Sequence, residues 1–517
     1  MIELWHNSLL WRLWVLFKGL CSRSATAALL RKLRASRFAD ACRRFLAKPP
    51  ASERSALQQR MNGFNRLLWR FGQRLAPARE QSVCVHLLRK LGEKLRESLL
   101  LGWLFRRGCT TLLLTVLGLF GVVDWALREV LVIPVVSSLW DEALLLFGLL
   151  LVLWQRAHAP QPLRARVSVL DLPVLQFFAV CLVLFLTTTE YYDIGFTGLR
   201  ATAQSILWFF VLLRLLRDEE DVRRVYLCMV IAAFVISLHG IYQYIVAVPI
   251  PANWTDQAEQ SVRTRVFSIF GSPNIMGDFL ILFAPMTLAL AYVVKKKRQK
   301  LLFVGMTGCM LLSCLFTMSR GAWVGMLLAI VIFSLLADLR LLALIGAGGV
   351  LSLAIPFVSS RILYLFSGAF AESTARGGRQ VRWAKAMNYV RQYGTMLTGM
   401  GFGRFGGAVA MQNQINTSIE YFYVDNYYVK ILAENGCLGL GSYLLMLLGL
   451  LWSGFRSWYV VRRAGTRPLV SGMLAGLCGV IMHCYFENIF EEPYMLAYFW
   501  SIAAMMVFLG MRKPKKS

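Results

Sequence analysis

Acidic residues are scarce in this sequence. There are 28 Asp and Glu against 56 Lys and Arg, and the formal net charge at pH 7 is +28. Histidine occurs five times, and no Cys/His spacing resembles a zinc site, so the sequence predicts neither a metal nor a cofactor. Eleven cysteines are present, but none lies between residues 359 and 424. This excludes a disulfide framework from the longest polar interval after residue 168.

Long apolar runs, by contrast, are abundant. The chain is 57% hydrophobic with a mean hydropathy of +0.56, and soluble domains do not sustain repeated apolar runs of about 20 residues. The pattern predicts an all-α polytopic membrane protein with about twelve transmembrane helices. The predicted spans are 109–127, 137–155, 168–188, 198–216, 224–247, 273–294, 301–318, 320–338, 341–358, 426–453, 468–487 and 494–511.

The short connections between these spans predict the topology. With the N-terminus inside, every short cytoplasmic connection contains Lys or Arg, as short cytoplasmic loops usually do. Both termini are then cytoplasmic, and a large external loop, 359–425, separates the ninth and tenth spans. Between Arg361 and Glu420 this loop holds seven basic and two acidic residues. Such a loop suggests a site for an anionic ligand, although a solvated connector would have the same composition.

Residues 1–108 differ from the rest, and we predict that they form a separate basic extension. They contain 22 Lys and Arg but 6 Asp and Glu, and apolar residues recur at helical spacing with breaks at Pro49-Pro50 and near Pro77. Basic amphipathic helices of this kind lie on anionic membrane surfaces. The alternative is a cytoplasmic helical extension that docks on a partner, such as an envelope-synthesis complex. Residues 109–517 form the predicted transmembrane domain.

Three arginine positions converge on the outer face in this topology. Arg265 precedes a span, Arg320 lies at a turn between two spans, and Arg379 and Arg382 belong to the external loop. Arginine at the hydrocarbon boundary is costly unless it is paired or reaches the interface, so each could be an interfacial anchor. Together they would suit bidentate binding of phosphate oxygens.

Acidic and histidine side chains accompany these arginines. Asp425 could be a helix N-cap or a general base beside the arginines. Glu434 follows more than two helical turns later and is expected to have a partner inside the bundle. His239 and His483 lie toward the outer ends of spans, where a lone histidine is more often a packing residue than a ligand.

The order of these motifs resembles that of the O-antigen ligase/polymerase superfamily. The resemblance rests on Arg265 followed by Pro273-Asn274, on Ser319-Arg320-Gly321, on Gly401-x-Gly403-x-x-Gly406, and on Asp425-Asn426 followed by Gly436-x-x-Gly439. It covers about residues 170–510 and leaves the first 100 unmatched.

The resemblance implies a metal-independent membrane glycosyltransferase of the bacterial cytoplasmic membrane. The donor would be a polyprenyl-diphosphate-linked glycan, the acceptor a glycan or a lipid, and the other partners membrane lipids rather than nucleic acid. Arg265 and Arg320 would bind the donor diphosphate and Asp425 would act on the acceptor hydroxyl. The predicted substrate-binding residues are Arg379, Arg382, Arg404, Asn426, Glu434 and His239.

One departure from the family pattern bears on the reaction. Ligases of lipid A core typically have His where this chain has Asp425, which favours a polymerase or another transferase. The competing functions are a flippase for lipid-linked oligosaccharides and a non-enzymatic scaffold. Against transport, the polar residues gather at one face and no internal repeat is found, whereas transporters usually have two related halves with charges near the midplane.

Overall fold

The computed structural model describes residues 40, 55–98, 101–251, 254, 263–354, 356–364, 368, 378–415, 418–461 and 465–511. Within these ranges all regular secondary structure is helical and there are no strands, which confirms the predicted all-α class. Its N-terminal helices are α1 (Ala56–Gln81), α2 (Val83–Glu97), α3 (Gly102–Phe105), α4 (Cys109–Gly118) and α5 (Phe120–Trp125), followed by a π-helix, Ala126–Val130.

The helical bundle follows. Its first half comprises α6 (Pro134–Ala157), α7 (Asp171–Thr188), α8 (Tyr192–Ala203), α9 (Leu207–Leu215), α10 (Glu219–Ile245), α11 (Pro273–Val293), α12 (Lys297–Phe316) and α13 (Arg320–Ala337). The second half comprises α14 (Arg340–Ser352), α15 (Pro356–Tyr364), α16 (Arg379–Gln392), α17 (Ala408–Asn413), α18 (Tyr427–Val460), α19 (Arg467–His483) and α20 (Pro493–Met511).

Nine helices of the described residues are long and apolar enough to cross a membrane, and a tenth is possible. The tenth would be the pair α4 and α5 with its π-helical extension, which bends by 80° at the break. Two shorter apolar helices, α14 and α19, coincide with the predicted ninth and eleventh spans. The chain is therefore a multi-pass membrane protein, and the number of about twelve spans stays a prediction.

The helices α11 and α20 form the centre of the bundle, because 89% of the apolar window of each is buried. The outer helices α6 and α7 bury 22% and 28% of theirs. Close packing of α11 against α19 depends on glycine: a Cβ at Gly476 would come 2.4 Å from the carbonyl oxygen of Leu282. Small residues at such crossings let helix backbones approach in membranes. The N-terminus of α11 is thereby fixed beside the end of α19.

The N-terminal helix α1 is attached to the bundle by specific hydrogen bonds. Gln58 Nε2 donates to the carbonyl of Ala165 (2.6 Å), and Asn65 Nδ2 donates to that of Leu163 (2.8 Å). The predicted break at Pro77 is wrong, because α1 continues through it. The helix instead ends at Ser82, whose hydroxyl accepts from the amide of Val85 and caps α2. The Pro49-Pro50 break lies outside the described residues.

The external loop contains helices rather than a simple connector. Within it, α16 and the segment before α18 share a small core around Ala386, Val390, Phe405 and Val424. Trp383 Nε1 donates to the carbonyl of Val424 (2.9 Å), which holds α16 against this segment. The loop is thus packed onto the end of the bundle where α11, α13, α18 and α20 begin.

Candidate functional site

Arg265 is held at the turn that precedes α13. Its Nε donates to the carbonyl of Thr317 (3.0 Å), and its Nη1 donates to that of Trp254 (2.5 Å). In the turn, Met318 has a φ of +54°, which is uncommon for a residue other than glycine, and the Ser319 hydroxyl accepts from the amide of Ala322 to cap α13. Arg320 is the first residue of α13. The two predicted diphosphate-binding arginines therefore belong to one corner of the bundle.

A relay of hydrogen bonds leads from Arg265 toward the external loop. Arg265 Nη2 donates to Asn274 Oδ1 (3.2 Å), and Asn274 Nδ2 donates to Glu487 Oε2 (2.5 Å). Asn274 lies in the first turn of α11, and Glu487 lies between α19 and α20. Arg265 and Glu487 are 222 residues apart in sequence, but in the fold the side chain of Asn274 alone bridges them.

The carboxyl group of Glu487 lies among the charges of the external loop. Burial raises the pKa of Glu487, and the nearby negative charge of Asp425 raises it further. The hydrogen bond from Asn274 and the positive charge of Arg379 act in the opposite direction. Sequence reasoning did not single out Glu487, because only the fold brings it to these partners.

Asp425 is the point where the loop arginines meet. Its Oδ2 lies 2.7 Å from Arg382 Nη2 and 3.8 Å from Arg379 Nε. The alternative that Asp425 caps α18 is wrong: Asn426 is the cap, and its Oδ1 accepts from the amides of Tyr428 (3.0 Å) and Val429 (3.1 Å). Asp425 has a φ of +49°, a conformation that Asp and Asn tolerate best after glycine.

A buried dyad lies beneath Arg320. His483 Nδ1 is 2.6 Å from Asp278 Oδ1, and the two residues are 1% and 0% exposed. Nε2 of His483 faces Gly321, the second residue of α13, since a Cβ at Gly321 would come 2.7 Å from Nε2. Sequence reasoning placed His483 at the outer end of a span but missed Asp278, its partner 205 residues away.

Glu434 belongs to a second, buried ion cluster. Lys430 Nζ lies 2.7 Å from Glu434 Oε2 and 3.4 Å from Glu491 Oε1. Glu434 thus has the interior partner that the sequence predicts, but at 1% exposure it is enclosed rather than part of an open binding surface. Lys430 was missed, although its spacing of four residues from Glu434 is the one at which helical side chains pair.

The glycine-rich segment of the loop is explained by this cluster and by α18. The amide of Phe405 donates to Glu434 Oε1 (3.4 Å), and the amide of Ala408 donates to Glu491 (3.2 Å). Gly401, Gly403 and Gly406 all have positive φ, from +68° to +100°, as glycine alone adopts at no cost. The amides at 405 and 408 are therefore bonded to carboxylates, which gives the glycine motif a structural role.

The same loop supplies hydrogen bonds to the backbone at a break in α18. Gly436 has non-helical φ and ψ of +62° and −169°, which frees backbone groups inside a span. The amides of Met400 and Gly401 donate to the carbonyls of Ala433 (2.8 Å) and Glu434 (2.9 Å). Irregular backbone within a span is tolerated where protein satisfies it, so residues 396–401 are built into the bundle.

The remaining predicted residues lie at other contacts. Arg404 Nη1 pairs with Glu190 (2.8 Å), and the guanidinium lies 5.3 Å from the ring centre of Tyr191. His239 is exposed, and its Nδ1 lies 2.9 Å from Ser268 Oγ. The structure therefore joins Arg265 to the Asp425 cluster through Asn274 and Glu487, whereas Arg404 and His239 have partners of their own.

Comparison with known proteins bears on this arrangement. Residues 305–444 match the family model described as O-antigen ligase. This match supports the resemblance to the O-antigen ligase/polymerase superfamily. The matched region begins in α12 and ends in α18, so that it contains Arg320, the glycine-rich segment, Asp425 and Lys430. No curated protein matches the chain.

The matched family indicates a class of activity. It implies a glycosyl-transferring membrane enzyme of polysaccharide biosynthesis, and members of the family act on lipid-linked glycans. Arg265 and Glu487 lie outside the matched region, and their place in the site follows from the contacts described above.

Proposed function

We propose that the protein transfers or polymerises a glycan from a polyprenyl (undecaprenyl) diphosphate donor at the outer face of the bacterial cytoplasmic membrane. The product would be a cell-surface polysaccharide of the O-antigen, capsule, exopolysaccharide or teichuronic acid type. The observation that carries the proposal is the meeting of Arg265, Arg379 and Arg382 with Asp425 and Glu487 at one end of the bundle.

The arginines supply what the leaving group requires. When the bond between the anomeric carbon and the phosphate oxygen breaks, negative charge develops on the diphosphate. Guanidinium groups fixed in place stabilise that charge without reorganising during the reaction, and their fork geometry engages two oxygens at once. Arg265 is fixed by three hydrogen bonds, and Arg320 by its place at the start of α13.

Asp425 has two functions in this proposal, one in each state of the site. Before donor binds, its carboxylate pairs with Arg382 and Arg379 and offsets one of their two positive charges. The diphosphate would replace Asp425 as the partner of these arginines, because it is also negatively charged and has more acceptor oxygens. The released carboxylate then accepts the proton of the acceptor hydroxyl as that oxygen bonds to the anomeric carbon.

The acceptor in this proposal is either a growing glycan or a lipid core. Asp425 in place of the ligase histidine favours the growing glycan, and so polymerisation. Glu487 lies beside Asp425 and would keep the site selective for an uncharged hydroxyl once the diphosphate is bound.

The test uses purified protein in liposomes with lipid-diphosphate-linked glycans extracted from the producing cells. We expect polyprenyl diphosphate to be released in step with growth or transfer of the glycan. Movement of intact lipid-linked glycan across the bilayer without cleavage would favour the flippase and overturn the proposal. Lys385→Met is the matched control for substitutions of the loop arginines, because Lys385 is one turn from Arg382 but pairs with exposed Glu420.

A further inference from the structure

A separate cavity of about 400 Å³ opens at the same end of the bundle. Its walls come from the bent helix pair α4 and α5 with the π-helix, from the segment between Arg265 and α11, and from the start of α20. Volumes from about 300 Å³ upward are typical of small-molecule sites. None of the residues assigned above to the diphosphate lines it.

The cavity exists because the backbone is irregular on two sides. The 80° bend between α4 and α5 and the π-helix Ala126–Val130 turn the chain away from the bundle. Opposite them, Ser268 and Gly271 have positive φ values of +49° and +64°. Such conformations persist only where surrounding contacts enforce them, and they concentrate at binding sites.

Aromatic rings form much of the cavity wall. Phe270 stacks on Tyr494 with ring centres 5.2 Å apart and an interplanar angle of 22°. Phe267 packs edge-on against Trp254 at 5.3 Å. Trp125, on the opposite wall, is 37% exposed. Flat apolar faces that remain accessible within a cavity suit ligands with apolar faces of their own.

The polar groups of the cavity are mainly carboxylates. Asp124, Glu129 and Glu492 face it together with one base, Arg128, whose Nε lies 2.7 Å from Asp124 Oδ1. Trp140 Nε1 also donates to Asp124 Oδ1 (2.8 Å). Because ionised carboxylates only accept hydrogen bonds, the cavity favours hydroxyl donors, and it repels phosphates most strongly above pH 7, where Glu492 is ionised as well. Its chemistry is the opposite of that of the arginine site.

The cavity adjoins the segment that fixes Arg265 on one side and the Lys430 cluster on the other. Arg265 donates to the carbonyl of Trp254, whose ring packs on the cavity residue Phe267. Glu492 follows Glu491, which pairs with Lys430 beneath the glycine-rich loop. A ligand in the cavity would therefore lie next to the segment that fixes Arg265.

We infer that this cavity binds sugar residues of the acceptor glycan, with Trp125 and Phe270 against the apolar faces of the sugar rings and the carboxylates accepting from their hydroxyls. That the bound glycan is the acceptor of the reaction rests on the proposed function. That the cavity binds an uncharged sugar rich in hydroxyls rests on the residues that line it. The donor diphosphate and the acceptor glycan would then occupy neighbouring sites of opposite charge.

Binding is measured first, independently of catalysis. The probe is a set of oligosaccharides released by mild acid from the surface polysaccharide of the producing cells, titrated calorimetrically into the purified full-length protein. We expect Trp125→Ala and Glu129→Gln each to weaken binding about tenfold, while the affinity for undecaprenyl diphosphate stays unchanged. Both side chains are exposed, so both variants should fold. Trp154→Ala is the control, because Trp154 is also exposed, at 53%, but lies near the C-terminal end of α6 and does not line the cavity.

Kinetics then distinguish this inference from the proposed function. In transfer assays Trp125→Ala should raise the KM for acceptor about tenfold and leave kcat and the KM for donor unchanged. Wild-type affinity for the oligosaccharides in both variants, or no binding by the wild type, would overturn the sugar site even if transfer occurs. Binding that depends on Trp125 in a protein without transfer activity would retain the sugar site and remove the proposed function.

Discussion

Two charged clusters flank the first turn of α18 and differ in their access to solvent. Asp425 pairs with Arg379 and Arg382, and the three side chains are 20%, 39% and 28% exposed. Lys430 pairs with Glu434 and Glu491, which are 6%, 1% and 14% exposed. Each cluster pairs acidic with basic side chains, but only the first is exposed enough to exchange a partner with a ligand.

The difference shows how burial divides the work between similar ion pairs. A buried ion pair is fixed, because separating its charges in a medium of low dielectric constant is costly. A half-exposed pair is held weakly and can be replaced. We therefore expect substitutions near Lys430 to affect folding, and substitutions among the arginines to affect donor binding and transfer.

The largest effect is expected for Lys430→Met. The substitution leaves Glu434 and Glu491 buried without their cation, and breaking such a pair costs about 3–5 kcal/mol. The protein should unfold at a markedly lower temperature in detergent and lose the packing of residues 399–408. Lys385→Met is the control, since that lysine pairs at the surface. An unchanged Tm for Lys430→Met would remove the distinction between the clusters.

Arg320→Lys should preserve folding but reduce transfer. The charge is kept but the two-pronged geometry is lost, and loss of one preorganised charge-stabilising contact costs about 3–4 kcal/mol, or roughly 100- to 1000-fold in rate. The measurement is the transfer rate together with Tm. Arg391→Lys, in the last turn of α16, is the matched control. Equal rates for the two variants would contradict the role given to Arg320.

A smaller, pH-dependent effect is expected at Glu492. Burial raises its pKa to about 7 from a usual value near 4.5, with further contributions from Glu491 and Asp124 and opposing ones from Tyr494 and Arg128. Because the folded-state pKa is the higher one, the stabilisation is complete below pH 4.5 and is lost as the pH rises through 7. Glu492→Gln should therefore raise Tm relative to wild type at pH 8 but not at pH 4.5. A difference independent of pH would contradict this assignment.

Much of this arrangement could be predicted from the sequence, and the missing part has a physical reason. Apolar runs located most of the long helices, and the motif order singled out Arg265, Arg320 and Asp425, because each signal is encoded within a few residues. Asp278 and Glu487 could not be predicted, since their partners lie across the bundle at separations of more than 200 residues. The break in α18 was also missed, because only the contact with residues 396–401 explains Gly436.

The smallest effect on transfer is expected at the N-terminal helix. Phe64, Leu67, Phe71 and Leu75 are exposed along α1 at helical spacing, as in helices that lie on anionic lipid. Phe71→Ser should leave transfer within about twofold. A solvent-sensitive label on Leu75→Cys should report an apolar environment in anionic nanodiscs, and Phe71→Ser should weaken that signal. The same emission in neutral and anionic lipid would instead favour a docking role for α1.

The central claim is that a donor diphosphate displaces Asp425 from its arginines and so releases the base. Asp425→Asn tests this most directly, because Asn tolerates the positive φ of +49° but carries no charge and is a poor proton acceptor. We predict that the variant binds undecaprenyl diphosphate at least as tightly as wild type. We also predict that its rate of glycan transfer is lower by about 100-fold or more. Weaker binding of the diphosphate, or transfer at the wild-type rate, would contradict the account.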